Sequence, residues 1–484
     1  MSFFLNPYSI YDTSSLDSPS DPYWNNVSLL LHGDGIGATP NGQQNNTFLD
    51  SSTNNFTITR NGTPTQGSFS PYALNGVAYS PALHGGSAYF PGTVNNYLTL
   101  PKTAFTSIAE TTRYWTLEGW FNFEELSSTT YSGCFNVSDY MLLLVRSTSI
   151  DFMYGIYAPR VNISVTQSFA TNTWYHIAVS CNNGTITLYV NGSAVGSVNT
   201  NPQINSGQVS SYFYIGAADN YPFYGTLDWP FKGYISGLRI SNIAVYTSNF
   251  TPPTSPVTLL SNGGATPSTA PTSGQVSLLC DFTNGGIFDN TKKNVLTTAG
   301  NAKVSTSVVK YGTGSMYFSS TNDKLTLPST ASGSSLDYGT GSFTIECWYN
   351  FIQVGPNNLG LIISQTVFGD NNLLLCTLND RSIHIWLGNT NLGTSSVSVI
   401  PLNTWCHVAL VRNGTSVKVY VDGVSVLSVT SSASLGGSMV PCINGYGHDN
   451  GYGNVCYIDD LRITKGSARY TSAFTPPTRA FADK

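Results

Sequence analysis

Residues 172–198 read Asn-Thr-Trp-Tyr-His-Ile-Ala-Val-Ser-Cys-Asn-Asn-Gly-Thr-Ile-Thr-Leu-Tyr-Val-Asn-Gly-Ser-Ala-Val-Gly-Ser-Val. They return at 403–429 as Asn-Thr-Trp-Cys-His-Val-Ala-Leu-Val-Arg-Asn-Gly-Thr-Ser-Val-Lys-Val-Tyr-Val-Asp-Gly-Val-Ser-Val-Leu-Ser-Val. The chain is therefore two copies of one unit. Each copy is three short runs separated by Asn-Gly or Asp-Gly, residues that tolerate the positive φ a tight hairpin turn demands. In the middle run Ile186, Leu188 and Val190 alternate with Thr185, Thr187 and Tyr189. Val417, Val419 and Val421 alternate in the same way with Ser416, Lys418 and Tyr420. Period-two alternation predicts a β-meander with one buried face, which a second sheet must cover.

A chain of 484 residues is too long for one core and suits two domains. Charged residues make up 9%, against about 25% in an average soluble protein, so uncharged polar groups keep the surface wet. A net charge of -5 with scattered Lys and Arg leaves no basic stripe, which excludes the electrostatic footprint of a nucleic-acid or anionic-membrane binder. The first residues, Met-Ser-Phe-Phe-Leu-Asn-Pro, lack the charged and apolar regions of a secretory signal, and no apolar run approaches spanning length. Eight cysteines divide unevenly between the copies. Cys347 and Cys406 fall where the first copy has Gly119 and Tyr175, so the fold does not need them as a disulfide frame, and buried thiols made in a reducing cytosol are expected.

The first unit begins at Val-Ser-Leu-Leu-Leu (27–31) and the second at Val-Ser-Leu-Leu-Cys (276–280). Downstream, Leu-Thr-Leu-Pro at 98–101 answers 325–328. Trp-Thr-Leu-Glu-Gly-Trp-Phe-Asn-Phe at 115–123 answers Phe-Thr-Ile-Glu-Cys-Trp-Tyr-Asn-Phe at 343–351. Tyr-Thr-Ser-x-Phe-Thr-Pro-Pro-Thr closes both, at 246–254 and 470–478. Short strands with Gly and Pro turns and no helical period predict an all-β protein. The expected division is an N-terminal arm at 1–24, one sandwich at 25–258, a semi-extended linker of Pro, Thr, Ser and Gly at 259–274, and a second sandwich at 275–484.

The ordered motifs Gly-Ser-x-Tyr-Phe, Phe-Thr-Ile-Glu-x-Trp, Trp-x-His-Val-Ala, Tyr-Val-Asp-Gly and Ile-Asp-Asp-Leu-Arg-Ile-Thr resemble those of laminin-G-like (concanavalin A-like) domains. They are similar to the tandem form found in bacteriophage virion proteins. The resemblance implies two jelly-roll sandwiches and binding, often of glycans and sometimes with calcium. The first copy departs where Gly237 replaces the second acid of Ile-Asp-Asp, which removes any acidic role shared there.

Retaining glucanases need two carboxylates about 5 Å apart across the scissile bond. The only glutamates are Glu110, Glu118, Glu124, Glu125 and Glu346, and none forms such a pair within a strand. Glu118 and Glu346 are equivalent, and each reads as a structural acceptor of backbone or Tyr hydrogen bonds. His176 and His407 lie inside strands with no nucleophile elbow, so they do not read as catalytic bases. Gly-Asp-Gly-Ile-Gly-Ala (33–38) matches a dinucleotide fingerprint only formally, since no helix can follow it; it reads as a turn. Asp459 and Asp460, or Asp449 beside Asn450, could offer oxygens to calcium, although Asx-turn capping is the preferred reading of them. No metal or other cofactor is otherwise expected.

Flat aromatics beside Asp and Asn suit saccharide stacking and hydroxyl hydrogen bonds. The richest such stretch holds Tyr212, Tyr214, Asp219, Tyr221, Tyr224, Asp228 and Trp229. Its counterpart in the second copy holds Tyr446, His448, Asp449, Asn450 and Tyr452. These are the candidate ligand-binding residues, with subunit contact as the alternative reading. In the arm, Phe3, Phe4, Leu5, Tyr8, Ile10 and Tyr11 are expected to dock on a partner protein or to fold back on the first domain. The expectation is a non-enzymatic virion component, a capsid decoration or fibre-like protein, assembled in the host cytoplasm and displayed on the particle surface. It would be anchored by its arm to other virion proteins, homo-oligomeric, and able to bind surface glycans. A free or cell-surface carbohydrate-binding protein is the alternative, and a glycoside hydrolase a distant third.

Overall fold

The computed structural model of the chain describes residues 21–37, 39–101, 113–137, 141–154, 161–199, 212–218, 227–327, 334–355, 357–367, 370–437, 439–447 and 449–483. Among them the regular structure is nearly all strand, with one short α-helix at Pro81–His84. Two sandwiches of the same design result. In the first, an eight-stranded sheet runs in the order 193–199, 185–190, 174–182, 114–123, 232–241, 87–91, 65–67, with 276–280 also paired to 232–241. It faces a seven-stranded sheet ordered 161–166, 149–154, 141–146, 132–137, 212–215, 97–101, 59–61. The second sandwich repeats both orders strand for strand. Its large sheet runs 424–430, 416–421, 405–413, 343–354, 454–465, 315–318, 303–305, and its smaller one 390–394, 383–387, 370–378, 359–367, 440–443, 324–326, 297–299.

The alternation in the meander sets which face is buried. Ile186, Leu188 and Val190 join the first core, and Val417, Val419 and Val421 the second. The Asn-Gly and Asp-Gly turns behave as their composition dictates. Asn191 and Gly192 have φ of 48° and 78°, Asp422 and Gly423 47° and 77°, the left-handed pair of a type I′ turn. A Cβ on Gly192 or Gly423 would collide with the carbonyl of Phe250 or Phe474. That close approach lets the Phe250 N–H donate to Gly192 O at 2.9 Å and the Phe474 N–H to Gly423 O at 3.1 Å. The closing Tyr-Thr-Ser-x-Phe motif is thereby laid over the outer face of the meander, where Phe250 meets Tyr189 and Phe474 meets Tyr420.

The two repeats exchange strands. Val27–Leu31 does not enter the first sandwich; it pairs antiparallel with Asn454–Lys465 in the second, with Leu29 opposite Ile463, Leu30 opposite Arg462 and Leu31 opposite Leu461. Reciprocally, Val276–Cys280 pairs with Lys232–Ser241 of the first, with Leu278 opposite Ile240, Leu279 opposite Arg239 and Cys280 opposite Leu238. Leu29 and Leu31 lie in the second core, whereas Leu278, Cys280 and Phe282 lie in the first. The expectation that 25–258 and 275–484 each close on themselves is corrected by this exchange. Sequence likeness identifies equivalent strands, but Val-Ser-Leu-Leu-Leu and Val-Ser-Leu-Leu-Cys present the same pattern to either sheet and cannot say which partner each takes.

Segments on either side of the exchanged strands stitch the halves together. Gly42 donates to Val304 O at 2.8 Å, and Val304 donates to Gln43 O at 3.0 Å. The buried Asn45 side chain donates to Ile287 O and Leu296 O. Nor is 259–274 a free linker: Val257 and Leu259 pack on Val276 and Leu279, while the carbonyl of Ser261 accepts from Arg239 at 2.9 Å. The arm is likewise shorter than 1–24. Asp21 is ion-paired with Arg462 and Arg469, and Trp24 packs with Val27, Leu30 and Phe481. Phe3, Phe4, Leu5, Tyr8, Ile10 and Tyr11 lie outside the described residues.

Candidate functional site

The two glutamates singled out from the repeat anchor matching buried networks. Glu118 Oε1 accepts from Arg239 Nε at 3.0 Å and Nη2 at 2.6 Å; its Oε2 accepts from the Tyr246 hydroxyl at 2.6 Å and lies 3.2 Å from His176 Nε2. Glu346 repeats the arrangement with Arg462 at 3.0 and 2.8 Å, Tyr470 at 2.8 Å and His407 at 3.3 Å. Burial alone would raise both carboxyl pKa values, but the guanidinium and imidazole neighbours outweigh it and hold each at about 2. Tyr246 stacks flat on Phe250, and Tyr470 on Phe474, with ring centroids 3.6 Å apart in both pairs. The histidine backbones are pinned by the turns, His176 N–H to Asn191 Oδ1 at 2.9 Å and His407 N–H to Asp422 Oδ1 at 2.8 Å.

Each network thus ties the central strand, the meander turn and the closing motif into one block. Glu118 and Glu346 are each 1% exposed. The expected tyrosine donor is present in both copies. The arginines carried no signal as partners in the sequence, although each falls in the repeated Leu-Arg-Ile. The copies differ in what completes the arginine. Arg239 also donates to Thr258 O, Ser261 O and Asn262 Oδ1, whereas Arg462 donates to Asp21 at 3.0 Å.

Two other clusters face outward, on the smaller sheets. In strand Met141–Arg146, Met141, Leu143 and Val145 point into the core, leaving Leu142 and Leu144 on the outer face with Ala218. Tyr131, Met153 and Trp229 close over that floor. The Tyr131 and Trp229 rings meet edge to face at 5.0 Å, and the Arg146 guanidinium lies 4.2 Å from the Tyr131 ring centre, within cation–π range. Arg146 is set by Ser149 Oγ at 3.1 Å and Asp151 at 3.8 Å. Burial, then the Asp151 charge, raises the Tyr131 pKa, so its hydroxyl stays protonated and able to donate. Beside Tyr131 a cleft of about 500 Å³ opens between Glu124, Glu125, Lys232, Ser127 and Thr130.

At the equivalent place in the second sandwich Leu361, Leu374 and Cys376 form the floor, and Leu359, Trp386, Tyr446 and Tyr452 pack over it. Tyr446 and Tyr452 meet edge to face at 4.8 Å. Trp386 Nε1–H donates to His384 Nε2. Lys324 Nζ donates to the carbonyls of Tyr446 at 2.8 Å and Asp449 at 2.7 Å, fixing the loop.

Of the residues expected to bind ligand, the fold brings Trp229, Tyr446 and Tyr452 to corresponding positions on the two smaller sheets. Tyr214 lies on a neighbouring strand of the first sheet, paired with Tyr97 at 5.6 Å. Asp228, Asp449 and Asn450 are exposed on the same loops. Asp219, Tyr221, Tyr224 and His448, and the side chain of Tyr212, lie outside the described residues. Tyr131, Arg146, Asp151, Met153, His384 and Trp386 were missed. For four of them the signal was the alternation itself: Asp151 and Met153 interleave with Ile150, Phe152 and Tyr154, and His384 and Trp386 with Ile383, Ile385 and Leu387.

Of the possible calcium ligands, Asp459 and Asp460 have side-chain oxygens already engaged within the protein. Asp459 Oδ2 accepts from the N–H groups of Lys310 and Tyr311 at 2.8 and 3.1 Å, and Asp460 is engaged by His32 and Phe481. Among the described residues no group of three or more His, Cys, Asp or Glu could hold a metal ion. The eight cysteines are buried and unpaired.

A family model described as the concanavalin A-like lectin/glucanases superfamily (Laminin_G_3) matches residues 91–248 and 319–469, together more than half of the chain. The chain belongs to this superfamily. The matched segments span the interior of each superfamily unit and stop short of the exchanged strands at 27–31 and 276–280. No curated protein matches the chain. Among solved structures, the binding domain of Paraclostridial Mosquitocidal Protein 1 aligns at 12% identity and TM-score 0.32, covering 38% of this chain and 47% of that one. Domains LG4-5 of the mouse laminin α1 chain align at 12% identity and TM-score 0.27, covering 84% and 96%. Domain 4 of AbnA, an extracellular arabinanase from Geobacillus stearothermophilus solved with arabinotriose, aligns at 22% identity and TM-score 0.30, covering 46% and 94%. These scores are low, and membership rests on the sequence match.

Proposed function

We propose that the chain is a non-catalytic glycan-binding protein that uses the outer faces of its two smaller sheets. One observation carries the reading. In both halves the loop leading into the long 232–241 or 454–465 strand lays half-exposed aromatic rings over the same outer face, Trp229 on Tyr131 and Tyr452 on Tyr446. Such rings offer apolar faces to sugar C–H groups, while Arg146 and the exposed loop residues Asp228, Asp449 and Asn450 supply hydrogen bonds to hydroxyls. Binding without hydrolysis is supported by the burial of Glu118 and Glu346, whose carboxylates are already engaged by an arginine and a tyrosine in each copy. Screening the full chain against a glycan panel, with reducing-end release measured in parallel, tests this. Binding without release is expected, and release or a blank panel contradicts it.

The finer part of the proposal is that the protein is displayed on a phage particle, assembled in the host cytoplasm, joined to other virion proteins through residues 1–20 and homo-oligomeric there. The sequence resemblance to tandem virion proteins supports this, as does the cluster of Phe3, Phe4, Leu5, Tyr8, Ile10 and Tyr11 early in the sequence. Mass spectrometry of purified particles should find the chain at stoichiometric level. Its absence there favours a free or cell-surface glycan binder.

A further inference from the structure

His32 follows the exchanged strand directly and is clasped by two carboxylates from distant parts of the chain. Its Nδ1 lies 2.6 Å from Asp460 Oδ1, and its Nε2 lies 3.0 Å from Asp483 Oδ1. Asp460 sits in Asn454–Lys465, the strand that receives 27–31. Its second oxygen accepts the Phe481 N–H, and Asn290 Nδ2 donates to Asp483 at 3.0 Å. Segment 481–483 is thereby held across the exchanged strand: Phe481 packs on Val27, Leu30 and Trp24, with the Arg462 guanidinium 3.8 Å from its ring centre.

A second, independent feature marks the same place. Asp460 has φ of 51°, and the equivalent residue of the first repeat is Gly237 with φ of 56°. An L-residue in left-handed backbone is strained where glycine is not, so the side chain at 460 has a use that repeat one lacks. Repeat one needs no such clasp, because its exchanged strand 276–280 is followed back through continuous chain to the sheet it completes.

We propose that His32, Asp460 and Asp483 form a latch that holds segment 481–483 over the exchanged strand and releases it as the medium turns alkaline. Released, the segment uncovers an apolar patch of Trp24, Val27 and Leu30. With both ring nitrogens facing carboxylates, the clasp is strongest while the imidazole carries its proton. Burial would lower the His32 pKa, but the two carboxylates raise it well above 6.5. The latch is therefore complete below the unfolded value of 6.5 and is lost as pH rises through the higher folded value. The other groups packed around the clasp act in the same sense or are neutral to it. Asp459 and Asp34 add negative charge, which favours the charged imidazole and so strengthens the clasp; Asp459, raised to about 7 chiefly by burial, gains its charge around neutrality, before the release. Arg462 is committed to Glu346 and Asp21, Lys310 Nζ lies over the Trp348 ring, Lys293 Nζ donates to Val27 O, and Asp289 is capped by Leu30 and its own turn.

Hydrogen exchange on the full chain tests this, with protection of 481–483 corrected for intrinsic rates and followed from about pH 6 to about pH 9. In the wild type protection should fall about tenfold or more while the sheet cores stay unchanged. His32→Gln and Asp460→Gly, the latter restoring the residue type of repeat one, should give low and pH-independent protection. Constant protection in the wild type overturns the latch, as does an unaltered pH dependence in either variant. If His32→Gln fails to fold, the Asp460→Gly profile alone decides.

Discussion

Leu30 donates its backbone N–H to the buried carboxylate of Asp289 at 3.1 Å, across 259 positions of sequence. Leu279 makes the reciprocal bond to Asp50 at 3.0 Å. The Asp of each repeat thus caps the strand that the other repeat supplies. Asp289 also accepts from the N–H groups of Thr291, Lys293 and Asn294 and from the Thr291 hydroxyl. Replacing either acid by alanine leaves several buried donors without a partner, at about 1–3 kcal/mol for each one that water does not reach. Asp50→Ala and Asp289→Ala should each lower the urea midpoint correspondingly, and a change within error would show that the exchange does not depend on these caps.

The exchange also dictates which fragments fold. A piece covering 43–282 carries every strand of the first sandwich, including 276–280, and should fold cooperatively. A piece covering 25–258 lacks that strand and exposes Ile240 and Leu238 along an open edge; it should aggregate or remain molten. Circular dichroism melting of the two fragments separates these outcomes. For the same reason, protease cleavage within 263–272 of the full chain should leave the halves associated on gel filtration.

The architecture was largely legible because alternation and turn chemistry are local. Ile186, Leu188 and Val190 announce a one-sided strand, and Asn191-Gly192 announces its turn, before any tertiary contact is known. Glu118 could be read as a structural acceptor because no second carboxylate accompanies it. Pairing between near-identical strands was not legible: Leu29 and Leu278 differ in partner but not in local sequence. The outward cluster was half legible. Trp229 stood out in an aromatic run, but Tyr131 and Arg146 lie on other elements and meet it only when the sheet is formed, and the arm and linker lost residues to packing that composition does not encode.

The buried networks should make acid stability depend on Glu118 and Glu346. Each carboxyl is held at about 2 against 4.5 for the free group, which corresponds to about 3 kcal/mol apiece. Because the folded value lies below the unfolded one, this stabilisation is complete above about pH 4.5 and disappears as pH falls toward about 2. Glu118→Gln should lower stability at neutral pH and flatten the acid limb of the stability profile. An unchanged limb would mean that Arg239 and His176 are not the source of the shift. Glycan binding by the folded variant should be retained, which separates a structural role from a functional one.

Titration of the full chain with the highest-scoring glycan of the panel, repeated with Trp229→Ala, Tyr446→Ala and the double variant, tests the central claim most directly. Each single substitution should weaken binding about tenfold, equivalent to about 1.4 kcal/mol, through loss of one stacking surface. The double variant should lose measurable binding while keeping its melting temperature within about 3 °C. Full affinity in the correctly folded double variant would contradict the assignment of the two outer faces as the glycan-binding sites.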